Sequence, residues 1–365
     1  VGDTEVTCEA AGRLRVVLTG QSLIKRPVKN SGEFDEIQAA VKWGDVRFTN
    51  FEGTIRGTYG GGPTKVGYVS ASESNVLDEL KWIGFNLLSL SNNHAYDWGA
   101  GGVMSTLEEV SQRGFAYAGL GQDLTTARQP GRLRTDQGEV ILVAADCGPQ
   151  PDEVYALDAD GEAHAKPGLN PLRVRWHDGT RAPDEADAQA MLNTVAEARQ
   201  NARLVIVYLH NHHWEEPMES TPEWIRSFAK QLLGAGASAV VMHGTPSMQG
   251  IELHDGHPIF YSLGNFIFHS ANPARWMGEV GFRAWQSVVA MCEFNPDGTV
   301  EEIRLLPIAL GHRQVDLANP AHSFDDAPRP AAPDYRREII EALASRSSKL
   351  GTTIEYQNGL GRVVT

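Results

Sequence analysis

Three features of the sequence predict a layered α/β fold. Short apolar runs alternate with segments of helical periodicity in the order β-α-β-α, the pattern of a largely parallel sheet flanked by helices. Most of those runs pass abruptly into polar residues, as inner strands do where they deliver side chains to the carboxyl edge of a sheet. The length, 365 residues with 41% hydrophobic content, suits one large domain with insertions.

Taken in order, Leu14 to Leu18 leading into Thr19-Gly20-Gln21 is the first strand, and Asp45 to Phe51 leading into Glu52-Gly53 the second. Gly84 to Leu90 is the third, followed by Ser91-Asn92-Asn93-His94-Ala95-Tyr96-Asp97, a knot of donors and acceptors. Leu204 to Leu209 runs into His210-Asn211-His212-His213, and Ala237 to Met242 into His243-Gly244. Helical patterns cover Glu33 to Val41, Ser72 to Ile83, Gly101 to Arg113, Asp184 to Gln200 and Thr221 to Leu233. Thr221 reads as an N-cap with Pro222 at the first helical position, and Gly234-Ala235-Gly236 closes that helix. From about 149 to 184 the rhythm breaks, with only Leu172 to Trp176 strand-like, and we read an insertion over the sheet edge. Ser287 to Phe294, Asp297-Gly298 and Val300 to Pro307 carry a β-hairpin signature, and Asp334 to Leu350 reads as a surface helix followed by a short polar strand. The expected organisation is one domain over 12–310, with 311–365 a C-terminal extension packing on it.

Composition narrows the function. A formal charge of −14 and no cluster of Lys or Arg argue against nucleic acid or an anionic membrane as partner. Cys8, Cys147 and Cys292 are far apart and lack metal-cluster spacing, so they read as idle thiols. No apolar stretch approaches the roughly 20 residues of a membrane span. The polar start Val1-Gly2-Asp3 gives a cytoplasmic expectation, although a chain beginning at Val is also compatible with a removed leader. The balance fits a soluble enzyme, with a small-molecule or peptide-like substrate as the expected partner. Imidazole, carboxylate and carboxamide converging at one sheet edge is what a divalent metal site needs, with zinc, manganese or iron suited to nitrogen and oxygen ligands.

Gly20-Gln21, Asn50-Phe51-Glu52-Gly53, Ser91-Asn92-Asn93-His94-Ala95-Tyr96-Asp97-Trp98-Gly99, Ala118-Gly119-Leu120-Gly121, the His210 cluster, His243-Gly244 and Tyr261-Ser262-Leu263-Gly264-Asn265-Phe266 follow one another in a recognisable order. Together they resemble the capsule-synthesis (CapA, poly-γ-glutamate synthesis) family from about Leu14 to Leu310. The resemblance implies the four-layer αββα sandwich of calcineurin-like metallophosphatases and one or two divalent metals. Two departures stand out: Gln21 replaces an acid often found there, and Gly244-Thr245 lacks the second histidine that often follows.

The resemblance and the residues together assign Glu52, Asn93, His210 and His243 as metal ligands, with Gln21 and Asn92 as further metal or substrate contacts. His94 and His212 are candidates for proton transfer, and Asp97 for fixing the His94 tautomer or else capping a helix. Alternation along a strand puts His210 and His212 on one side and His213 on the other. Trp214 and Tyr68 are candidate substrate contacts; Trp98 and Trp276 are weaker ones, and His254, His257 and His269 the weakest imidazoles. The leading expectation is a metal-dependent hydrolase of an amide, ester or phosphoester, the phosphoester ranking lower because no Arg or Lys lies near the motifs to clamp phosphoryl oxygens. A metal-assisted epimerase or lyase, and a non-catalytic polymer-binding accessory protein, are the alternatives.

Overall fold

The structure, a computed structural model, describes residues 12–29, 34–161, 164–270, 272–310 and 327–365. Among these, the apolar runs assemble into two large sheets. The first has the spatial order Ile354–Gln357, Leu360–Val363, Val300–Leu310, Gln286–Phe294, Leu14–Leu18, Val46–Asn50, Leu87–Ser89, Ala116–Ala118. From Leu14–Leu18 to Ala116–Ala118 it is parallel, and Gln286–Phe294 adds to it antiparallel. The second runs Ile251–His254, His257–Phe260, Ala239–His243, Leu204–Asn211, Gly138–Gly148, Gly131–Thr135, parallel through its four inner strands.

Burial on both faces explains why these strands are almost continuously apolar. Val16, Leu18 and Phe48 of the first sheet and Leu142, Ile206 and Val241 of the second share one buried cluster between the sheets. Side chains alternate, so Val17 and Leu88 point outward instead, onto Val41, Leu80 and Val110 of the helices Asp35–Lys42, Asn75–Ile83 and Gly99–Gln112. On the far side Val143, Val205 and Val207 meet Val195 of Glu185–Arg199 and Phe228 and Leu232 of Glu223–Gly234. The result is the αββα sandwich.

Several local expectations change. Gly138–Gly148 is a central strand that the sequence reading passed over. Pro222 has extended backbone dihedrals (φ −61°, ψ 143°) and is itself the N-cap, without a side-chain bond, so Thr221 caps nothing. The strand expected at Leu172 to Trp176 is Val174–His177, paired in a small hairpin with Thr180–Pro183. The helix Pro333–Ser348 is no mere surface element: Tyr335, Ile339, Ile340 and Leu343 belong to the cluster between the sheets. Residues 311–326 of the expected C-terminal extension, and Cys8, lie outside the described residues; Cys147 and Cys292 are buried and free.

Two close backbone approaches shape the shared carboxyl edge of the sheets. A Cβ on Gly20 would stand 2.5 Å from the Gly264 carbonyl oxygen, and Gly244 (φ 118°) turns where a Cβ would come within 2.1 Å of the Asn211 oxygen. Only glycine fits either place.

Candidate metal centre

Each candidate ligand stands where a strand runs out. Glu52 follows Val46–Asn50, and its backbone N–H donates to the Ser22 carbonyl at 2.9 Å. His210 and His243 are register partners on adjacent parallel strands, both essentially inaccessible. His212, two residues beyond His210, is brought to the same side, and His213 turns away to place Nε2 3.1 Å from the Cys147 carbonyl. Asn93 lies in the loop joining Leu87–Ser89 to the helix Gly99–Gln112.

Glu52, Asn93, His210 and His212 converge on one point, while His243 stands beside His210 in register but outside that group. His210 Nε2 lies 2.9 Å from Asn93 Oδ1, 3.0 Å from His212 Nε2 and 3.9 Å from Glu52 Oε1. One ligating atom each from Glu52, His210 and His212 falls within a 4.8 Å group. Tyr208 fixes the His210 ring from behind, its hydroxyl 3.0 Å from Nδ1. Glu52 Oε2 is buried without a hydrogen-bond partner among the described residues, while the buried His243 ring has the Thr19 backbone as a partner. Orphaned polar atoms of this kind are costly unless a ligand satisfies them. A nitrogen-and-oxygen set with unspent lone pairs fits a divalent cation such as zinc, manganese or iron.

The electrostatics agree. Burial pushes the Glu52 carboxyl up to about 8, with Lys65 opposing and Asp97 adding to the rise. Burial likewise holds His212 and His243 down at about 3 and His210 well below its ordinary value, with neighbouring imidazoles pushing His210 further the same way. The pocket therefore resists protons on its nitrogens, and Lys65 alone does not keep its carboxyl ionised, a task a divalent cation would fit.

Beside the cluster, His94 Nδ1 is 2.7 Å from Asp97 Oδ2, which also accepts the Ser70 N–H, while Lys65 Nζ is 2.6 Å from Asp97 Oδ1. Burial would raise the Asp97 carboxyl, but the bonds from His94 and Lys65 outweigh it and keep it below its ordinary value. An ionised Asp97 accepts a hydrogen bond from Nδ1–H, which leaves the Nε2 lone pair of His94 free; burial keeps that ring neutral. Asp97 does not cap the following helix, whose N-cap is Trp98 with no side-chain bond.

Glu52, Asn93, His94 and His212 line a cavity of about 440 Å³, walled by Tyr68 and Trp214. Tyr68 packs edge-on to His94 at 5.3 Å and Trp214 lies 5.1 Å from His212. Trp276 lines it too, whereas Trp98 sits against Arg56. Gln21 reaches the cavity, but its carboxamide is spent: Nε2 donates to Asn265 Oδ1 and Oε1 accepts the Gly244 N–H. Asn92 is spent as well, bonding the Phe51 carbonyl and the His94 N–H. His269 accepts the Lys25 N–H, and His254 and His257 flank a distant hairpin turn. A larger depression of about 680 Å³, lined by Met104, Tyr117 and Arg132, gathers no such cluster of ligating groups.

Sequence reading missed four residues. Lys65 and Arg275 both line the cavity, so the expectation of no nearby cation is wrong; Lys65 comes from a Gly-rich loop and Arg275 from the helix Pro273–Val280, neither tied to a motif. Tyr208 looked like ordinary core. Asp146, in register with His210, is buried with its carboxyl pushed up to about 7 by burial, opposed by bonds from Tyr155 and the Gly148 N–H. The run Val140 to Ala145 passing into Asp146 was the signal for it.

A family model described as "Bacterial capsule synthesis protein PGA_cap" matches residues 15–270. "Uncharacterized protein y4sH" of Sinorhizobium fredii is 27% identical over 95% of this chain and 92% of its own length. "PGA biosynthesis protein CapA" of Bacillus subtilis is 28% identical over 52% of this chain and 44% of its own. Among solved structures, a hypothetical protein from Thermus thermophilus aligns over 80% of this chain and 98% of its own, at 16% identity and a TM-score of 0.44.

Proposed function

Because the chain belongs to the bacterial capsule synthesis protein PGA_cap family, we propose that it is a divalent-metal-dependent hydrolase whose proton-transfer group is His94. The observation that carries this is the buried meeting of Glu52, His210 and His212 within 4.8 Å, beside an imidazole oriented by a carboxylate. Glu52, Asn93 and His210 would hold the cation, joined by His212, which moves from the expected proton-transfer role to that of a ligand, with His243 beside His210 as a further candidate. A divalent cation there supplies a Lewis acid and a water of near-neutral pKa.

The chain's own groups do the rest. Asp97 and Lys65 fix the His94 ring so that Nε2 can take a proton from the attacking water and return it to the leaving group. Tyr68 and Trp214 wall the cavity and limit how a substrate can enter. Lys65 is paired with Asp97, whereas Arg275 holds Glu279 only through an exposed pair of small worth, so an amide or ester ranks first and a phosphoester stays in the test. Carried over from the names of relatives, γ-linked glutamyl amides are the first substrates to try.

Elemental analysis of the purified protein, followed by mass spectrometry of γ-glutamyl amide, ester and aryl phosphate substrates with the metal-loaded chain, tests the reading. Stoichiometric metal and two products whose masses sum to that of the substrate plus one water are expected. A conversion without change of mass would favour the epimerase alternative, elimination products a lyase, and tight polymer binding without metal the accessory role.

A further inference from the structure

A second cavity, of about 340 Å³, adjoins the metal centre and shares Lys65 and Asn93 with the first as a common wall. One side is the Asn92 to Asp97 loop that carries the catalytic imidazole. The other is the segment after Gly148, which contributes Pro151, Val154 and Leu169. Its size lies at the small end of ligand pockets.

The two cavities differ in what they ask of an occupant. At the metal centre, Glu52 Oε2 is buried without a partner; none of the second cavity's described lining residues has such an atom. Much of its polar wall is already spent: Asn92 on Phe51 and His94, Asn93 on His210, Thr64 on the Tyr96 carbonyl, Asp97 on His94, Ser70 and Lys65. Tyr96, buried Val154 and Leu169, and exposed Pro151 supply its apolar lining, with Gln150 beside them. Glu153 stands at the same rim, where it adds to burial in raising the Tyr96 hydroxyl and disfavours a carboxylate, while the Lys65 ammonium on the common wall is already paired with Asp97.

We propose that this cavity is a subsite for an uncharged, apolar arm of the substrate whose reacting group sits over the metal centre. The inference rests on the hydrolase reading for the position of the reacting group. It departs from a pure polyanion: a carboxylate on every repeat would have to enter an apolar chamber past Glu153.

The test has two arms. In the first, metal-free protein is mixed with 4-phenylbutanamide and watched by saturation-transfer NMR, in the parent chain and in Pro151→Trp and Val154→Trp. Ring signals in the parent that vanish in both variants are expected. Pro151 is exposed, so the first variant keeps the test sound should Val154→Trp misfold. Ring signals that persist in a folded Pro151→Trp chain, or are absent from the parent, overturn the subsite. In the second arm, zinc-loaded protein is titrated with 4-phenylbutanohydroxamate and acetohydroxamate. A gain of about tenfold or more for the aryl compound is expected from burying the ring. Equal affinities overturn the link between the cavities. A zinc-loaded chain that binds neither hydroxamate sinks the hydrolase reading, and the NMR arm still decides the cavity.

Discussion

Glu52→Gln is expected to stabilise the metal-free protein while weakening its hold on metal. The folded chain keeps the Glu52 proton to about pH 8, whereas an ordinary carboxyl releases it at 4.5. Between those values the unfolded chain binds fewer protons than the folded one, so stability falls as pH rises through the window. At ~1.4 kcal/mol per pH unit the cost is about 3 kcal/mol at pH 7 and absent below pH 4. Glutamine has the same shape and cannot ionise, so it escapes that cost. Urea unfolding of chelator-treated parent and variant, at pH 4 and pH 7, measures it. The variant should be the more stable at pH 7 by about that amount and indistinguishable at pH 4. A Glu52→Gln chain no more stable than the parent at pH 7, or equally favoured at both pH values, refutes the reasoning. With metal added the order should invert, because the cation then stabilises the carboxylate.

Metal affinity should rise about tenfold per pH unit up to about pH 8 and then level off, since Glu52 must shed its proton while the histidines are already neutral; calorimetric titration in buffers of different ionisation enthalpy counts the proton released, and a flat profile from pH 6 to 8 contradicts the assignment. His94→Ala should lower turnover by on the order of 10²–10⁴ and leave metal content unchanged; loss of metal in that variant would make His94 a ligand. Tyr208→Phe removes the hydroxyl 3.0 Å from His210 Nδ1 and should weaken metal binding by about 10- to 100-fold, read by chelator competition, with equal affinities counting against a role for Tyr208.

The layers and the sheet edge were legible because the physics that places them is local. An apolar run of strand length that passes into Glu52, His210 or His243 announces both its burial and its destination. Alternation alone separated His213 from His210 and His212. Gly138–Gly148 was overlooked because it lies before the irregular segment and ends in Asp146-Cys147-Gly148, without the imidazole that drew notice elsewhere. Lys65 could not have been found: it sits among glycines, with no periodicity, and its importance comes only from the loop folding over Asp97. Pro222 shows the limit at helix ends, where one residue of extended backbone shifts a boundary that composition marks well.

The donor set is divided between the sheets, with Glu52 and Asn93 supplied before residue 100 and His210, His212 and His243 after residue 200. During synthesis, therefore, a ribosome must pass His212 before Glu52 can meet His210 and His212. The first sheet waits longer still, since Leu14–Leu18 pairs with Gln286–Phe294 nearly the whole chain away. Such distant pairing makes for slow assembly. On the proposed reading, a cation would be captured only by molecules in which segments from both halves of the chain have already met.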